Sequence, residues 1–315
     1  MAEAVSTLEN VVEVTMVQAG ITRLVESIDS AGGVVDMAPD GFAYPLDTIG
    51  IDPTQYSRLA PGSSLDELVA LQPGEAILGE RSAAFRRLDV GSVLHFDDGE
   101  RLTVAAILPD EVVGAAELVV TQGFPNVDRD RYLLVRHEAT SEEMEPAIVA
   151  AAGEPTRVVG LGDEPYLRFG SGVVPPIAVK ERFGEFAARG DGDAFTVDPV
   201  WRQNIVFEEV PLLGTVNCHR EFIPMLRGAL QELVDRGLGD LIDISGYRGC
   251  WNARWIAGRR GISRHSWGIA VDINFFVEAD GADPRLIEVM TKWGFESGHD
   301  FLLPDPGHFE WRMDP

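Results

Sequence analysis

Apolar positions along the chain fall into two regimes. Up to about residue 168 they form short runs broken by Gly, Pro and Asp; beyond about residue 200, helical spacing mixes with short strand-like runs. In the first regime residues 11–18 alternate as a strand, and 131–136 are another strand candidate. Residues 91–108 read as a hairpin, two β-rich runs around Asp97-Asp98-Gly99. Helical spacing marks residues 64–71 and 82–88, and 141–152 open on a serine with an acidic first turn.

Between residues 170 and 198 the pattern loosens. Pro175-Pro176 and the Gly-Asp-Gly-Asp run at 190–193 are breakers, which places a linker at 169–199 between domains 1–168 and 200–315. In the second domain Phe222, Met225, Leu226, Leu230 and Leu233 fall on one helical face of residues 220–236. Residues 241–245 and 268–276 are short strands, 284–292 a helix with proline in its first turn, and 305–312 contain the strand-like His-Phe-Glu-Trp. Without regular βαβ alternation, the fold class is α+β.

Charge separates the halves further. The chain of 315 residues holds 51 acids and 26 bases, a net of −25. From Trp201 onward there are 17 acids and 12 bases, so the 34 acids and 14 bases before it carry most of the excess. Such a surface repels phosphate backbones and anionic lipid, so nucleic acid is not an expected partner. Only Lys180 and Lys292 are lysines, a bias read as coding preference. No run of about 18 apolar residues exists to span a bilayer, and Met1 to Val14 lacks the basic-then-apolar pattern of a secretory signal. Oligomeric state is not legible. Cys218 and Cys250 allow one disulfide, tying the start of the 220–236 helix to the loop at Arg248; a pair of buried thiols is the alternative.

Chemistry concentrates in Ser263-Arg264-His265-Ser266-Trp267-Gly268-Ile269-Ala270-Val271-Asp272 and in Asp305-Pro306-Gly307-His308-Phe309-Glu310. An imidazole and a carboxylate seven residues apart, entering a strand through a glycine turn, can face one ion. A second histidine downstream completes three N/O donors, the open arrangement of catalytic zinc; closed structural sites favour thiolates.

These two segments, with Ile244-Ser245-Gly246-Tyr247-Arg248-Gly249-Cys250, resemble the VanY-like D-alanyl-D-alanine carboxypeptidases, of the zinc-peptidase superfamily that includes lysostaphin-type endopeptidases and the hedgehog domain. The resemblance covers roughly residues 200–312. It implies a small antiparallel sheet flanked by helices, with one zinc ion held by His265, Asp272 and His308. It further implies Asp305 as general base, Arg248 as oxyanion stabiliser and Ser263 as a substrate-binding residue; Trp267, inside the motif, is a further substrate-binding candidate. The substrate would be peptidoglycan stem peptides, at the cell envelope or outside the cell; a cytoplasmic location is the alternative. A non-catalytic zinc-binding interaction or sensor domain is the competing function.

Simpler readings remain for several of these. Asp305 also fits an Asp-Pro-Gly turn, with Glu310 as fallback base or as a group orienting a ligand histidine. Trp267 also fits a packing role. His219 and His299 flank the motifs off the ligand positions, and His95 and His137 sit in strand-like runs. Where relatives carry Trp-Gly-Gly, this chain reads Trp293-Gly294-Phe295, which bears on substrate preference. In the first domain, residues 82–110 resemble extracytoplasmic domains of bacterial ABC-type permeases.

Overall fold

The structure, a computed structural model, describes residues 1–60, 65–114, 116–153, 155–158, 174–190, 192–256, 261–274, 283–301 and 303–312. It is α+β and divides into two compact units. One comprises Met1–Leu167, Pro175–Glu181 and Arg259–Gly261, the other Arg168–Val174, Arg182–Gly258 and Ile262–Pro315.

The first unit opens with helix α1 (Ala2–Ser6) and the long strand β1 (Val11–Ile28), followed by β2 (Val34–Met37) and β3 (Tyr44–Ile51). Helices α2 (Pro53–Leu59) and α3 (Leu65–Ala70) precede β4 (Glu75–Gly79) and α4 (Glu80–Arg86). Then come β5 (Val93–Phe96), β6 (Arg101–Leu108), β7 (Leu118–Thr121), β8 (Arg129–His137) and α5 (Ser141–Ala152). β1, β3, β7, β4, β6 and β5 pair in turn, and β5 returns to β1, so the sheet closes on itself. β2 and β8 extend it from the two ends of β1.

Closure explains the burial pattern. On β4, Ala76 and Leu78 face one apolar cluster with Leu46, Leu94, Leu118 and Val120. Ile77 faces the opposite cluster, which Tyr56, Leu68 and Leu71 cover. The expected hairpin is β5–β6, turned at Gly99 with φ +91°. The expected strand 11–18 runs on to Ile28, and α5 starts from Thr140, whose side chain caps the Glu143 amide while Glu143 caps back.

Charge is buried in this unit as well. Glu117, fully enclosed, accepts from Lys180 Nζ at 2.7 and 2.9 Å, from an Arg86 nitrogen at 3.0 Å and from the Asp47 amide at 3.0 Å. Lys180 also donates to the Pro45 carbonyl at 2.7 Å, and Arg131 grips Asp47 with two nitrogens.

Segment 169–199 was expected as linker. Its described part instead forms helix α6 (Pro176–Phe183) and the paired strands β9 (Ala188–Arg189) and β10 (Thr196–Val197). Pro176 sits in the first turn of α6, where a missing amide costs nothing, and Phe183, Phe186 and Phe195 are buried. Apolar burial thus overrides the breakers.

The second unit continues with the hairpin β11 (Ile205–Val210) and β12 (Gly214–His219), then helix α7 (Ile223–Asp235). Strand β13 (Ala270–Asp272), helix α8 (Pro284–Lys292), β14 (Phe295–Ser297) and β15 (His308–Trp311) follow. β15 lies between β13 and β14, antiparallel to both. Cys218 at the end of β12 is joined to Cys250 by a disulfide.

Two expected strands are corrected. Residues 241–245 form 3-10 turns, because Asp243 folds back to accept from the Ser245 amide at 2.9 Å. The strand expected at 268–276 is confined to β13: Gly268 is left-handed before it and Asn274, φ +55°, follows it, while residues 275–276 lie outside the described residues.

Candidate metal centre

His265 sits in the 3-10 turn Arg264–Trp267, which Gly268 ends at φ +66°. A Cβ on Gly268 would lie 2.7 Å from the His219 amide nitrogen, so only glycine permits both the turn and the approach of β12. Two residues later β13 begins and delivers Asp272, directly opposite His308 on β15. The turn and the strand pair therefore bring together three side chains distant in sequence.

Their donor atoms converge. His265 Nε2 lies 3.1 Å from Asp272 Oδ1 and 3.3 Å from His308 Nδ1, and His308 Nδ1 lies 2.9 Å from Asp272 Oδ1. The other ring nitrogens are engaged elsewhere. His265 Nδ1 is 2.7 Å from the Cys250 carbonyl, and His308 Nε2 is 2.9 Å from Glu310 Oε2. Carbonyl and carboxylate oxygens only accept, so those nitrogens carry the protons, and both lone pairs turn toward Asp272. Three acceptors facing one another at this range require a positive charge between them, a proton or a cation.

Donor separations of 2.9–3.3 Å resemble the roughly 3.3 Å that zinc bonds of about 2.0–2.1 Å subtend at tetrahedral angles. These residues could hold a metal ion. Without one, burial opposes charge on His308, but hydrogen bonds to and charges on Asp272 and Glu310 prevail and push its pKa up to about 10. Burial likewise raises Asp272, yet the hydrogen bonds and charges of the two imidazoles hold it well below the usual carboxylate range.

A supporting frame surrounds the three. The Arg248 amide donates to the Asp272 carbonyl at 2.9 Å and the Asp272 amide to the Gly249 carbonyl at 3.1 Å. The Asn252 amide donates to the His265 carbonyl at 3.0 Å. The disulfide thus secures the segment that orients His265. Arg264, fully buried, places Nε 3.6 Å from Glu310 Oε1 and binds the Val174 carbonyl. Sequence reasoning passed over Arg264; its position beside His265 was the only available signal.

Other expected residues fall around this centre. Asp305 is exposed and opens the turn leading to His308, whose amide donates to the Asp305 carbonyl at 3.0 Å. Arg248 is exposed, its guanidinium on the Ser245 and Tyr247 carbonyls. Ser263 is buried before the 3-10 turn. Trp267, expected at the substrate, is a core residue: it is 1% exposed, donates Nε1 to the Gly184 carbonyl and packs on Phe186, leaving no face for a ligand.

His219 is buried among Phe183 and Trp201, and burial pushes it down to about 4, so it is a neutral core histidine. Burial, then the Asp272 charge, push the Tyr247 phenol up to about 12.

Gly298 is another residue the sequence did not flag. A Cβ there would lie 2.3 Å from the Asp305 carbonyl oxygen and 3.1 Å from His308 Cβ. Gly298→Ala is expected to shift the 305–308 turn and weaken divalent-metal binding by roughly 10- to 100-fold, the range for disturbed supporting contacts. Competition against a chromophoric chelator measures it; unchanged affinity would show the turn to be dispensable.

Residues 257–311 match the family described as D-alanyl-D-alanine carboxypeptidase, so this part of the chain is peptidase-like. No curated protein sequence matches the chain. A solved domain of a protein described as a permease, from Porphyromonas gingivalis, is similar at 15% identity and TM-score 0.30, over 49% of this chain and 68% of that one. The periplasmic region of MacB from Actinobacillus actinomycetemcomitans is similar at 12% identity and TM-score 0.31, over 48% and 70%. Likeness at these TM-scores bears on neither fold nor function. Among the described residues no helix is long and apolar enough to cross a membrane.

Proposed function

We propose that the second unit is a zinc-dependent peptidase acting on peptidoglycan stem peptides at the cell envelope, trimming a terminal D-alanine or cutting an internal bond. The observation that carries this reading is the convergence of the His265 and His308 lone pairs on Asp272, each fixed from behind by a hydrogen-bond acceptor. Their N/N/O donor set leaves a fourth position open, as catalytic zinc sites do.

Zinc bound there supplies a Lewis acid that polarises the scissile carbonyl and lowers the pKa of water from about 16 toward about 7. The chain's residues do the rest. Glu310 and the Cys250 carbonyl hold the imidazoles in the tautomers that present lone pairs. Asp305, exposed and in the turn before His308, takes the proton of the attacking water and returns it to the departing amine. Water and one amide thereby give a carboxylic acid and an amine, which part at neutral pH as carboxylate and ammonium. Arg248 offers positive charge to the developing oxyanion from the segment beside Asp272. Ser263 binds the terminal carboxylate of the substrate.

Asp305→Asn tests the mechanism. It should lower kcat on D-Ala-D-Ala peptides by roughly 10²- to 10⁴-fold, the range for a lost general base, while the zinc content stays at one per chain. Undiminished cleavage would remove Asp305 from the mechanism. A wild type that holds zinc but cleaves neither these peptides nor intact muropeptides would favour a zinc-binding interaction domain.

A further inference from the structure

Directly before His265 stands Arg264, a fully buried cation with no part in the proposed mechanism. Its backbone belongs to the turn that presents His265, and its carbonyl accepts from the Ile269 amide at 3.4 Å, at the entry to β13. Its guanidinium leaves that turn. One nitrogen binds the Val174 carbonyl, and Nε stands 3.6 Å from Glu310 Oε1 on β15. The other oxygen of Glu310 lies 2.9 Å from His308 Nε2. Arg264 therefore meets two of the three donors, His265 through the backbone and His308 through Glu310.

The surroundings of Glu310 call for a cation. His308 and Glu310, two apart on β15, share one face of the sheet with Asp272, opposite His308, and with Glu296, opposite Glu310. Three carboxylates thus line that face, and Glu310 is 2% exposed. Like charges opposed across a strand pair repel, and an enclosed carboxylate is costly without both hydrogen bonds and a counter-charge. His308 provides the hydrogen bond at Oε2, and Arg264 the charge at Oε1. A buried ion pair gains little stability over apolar packing of the same volume. What a planar guanidinium does add is placement, since it holds a carboxylate by one edge.

Resting on the metal-binding part of the reading above, we propose that Arg264 is a positioning residue for the third ligand. It pins Glu310 so that Oε2 stays on His308 Nε2, which keeps the Nδ1 lone pair aimed at the metal beside Asp272. The relay Arg264–Glu310–His308 works whether or not a peptide is cleaved.

Zinc affinity of the full chain, measured by competition against a chromophoric chelator, tests this in a cycle of wild type, Arg264→Met, Glu310→Gln and the double variant. Arg264→Met should weaken zinc binding by roughly 10- to 100-fold, the range for a lost outer partner. It should also shift the visible absorption of the cobalt(II)-loaded protein, which reports ligand geometry. In the Glu310→Gln background the same substitution should change affinity by no more than about twofold, because the group through which Arg264 acts has already lost its charge. Unchanged affinity in Arg264→Met, an unaltered cobalt spectrum or additive losses in the cycle would each overturn the proposal, additivity pointing to a general structural role. A rise in affinity would overturn it too, by showing that Arg264 acts on the metal only as a repelling charge. If Arg264→Met does not fold, the double variant set against Glu310→Gln alone decides, since neither an arginine nor a carboxylate is then left buried at that pair. Equal affinities support the relay; a further loss overturns it. A wild type that holds no zinc would remove the metal reading and the proposal with it, a result distinct from a zinc-binding wild type with an indifferent variant.

Discussion

Alanine at His308 is expected to abolish tight zinc binding and, with it, peptide cleavage. The side chain supplies one of three convergent donors, and it is also the acceptor-facing partner of Glu310. Its removal should cost more than the roughly 10- to 100-fold that follows loss of an outer hydrogen-bond partner. Glu310→Gln, which keeps the donor and disturbs only its orientation, should fall within that range. A ratio of the two zinc affinities near one would place His308 outside the metal site.

The same residue sets the pH dependence. In the metal-free protein two carboxylates overcome burial and push His308 up to about 10, against an ordinary 6.5. The folded value is the higher one, so the retained proton stabilises the metal-free fold fully below about 6.5, and this is lost as pH rises through about 10. Zinc needs the lone pair that this proton occupies. Loading at neutral pH should therefore release about one proton from His308, with affinity rising as pH rises. Calorimetry in buffers of different ionisation enthalpy counts that proton.

What could be read from the sequence divides along physical lines. The candidate ligand set came from spacing, residue type and the family resemblance together: a histidine, a glycine turn and an aspartate on a strand, then a histidine in a second strand, three side chains that the structure brings together. Arg264 and Gly298 were not legible, since each matters through something tertiary. Arg264 matters through its place behind Glu310, and Gly298 through the backbone of Asp305 passing where a Cβ would be. Trp267 admitted both a substrate-facing and a packing reading, because a tryptophan in that motif looks the same in sequence whether it faces a cleft or the core, and its burial decides for packing.

In the first unit, short runs with strong alternation such as β6 were readable. β3 was not: it is buried along nearly its whole length because the sheet closes, so it shows no polar face. The 3-10 turns around Asp243 had strand-like composition, and a local side-chain hydrogen bond decided against it.

Lys180 is the clearest case of a residue whose sequence context concealed its role, and it carries the largest expected effect on stability. One of only two lysines, it was read as a trace of codon usage. It is buried, with its ammonium on both oxygens of Glu117 and on the Pro45 carbonyl. Lys180→Met should destabilise the first unit by about 3–5 kcal/mol, the cost of breaking a buried ion pair from one side. Glu117 would keep Arg86 at 3.0 Å and the Asp47 amide, which favours the lower end of that range. Replacing Arg86, Glu117 and Lys180 together by apolar residues of similar volume should recover most of the loss, since no charge is then left buried without a partner. Hydrogen exchange at the β3 and β7 amides reads the first unit directly, without assuming that the whole chain unfolds in one step. A single variant as protected as wild type would show that water or Arg86 compensates; a triple variant less protected than the single one would show that the cluster stabilises the fold as a unit.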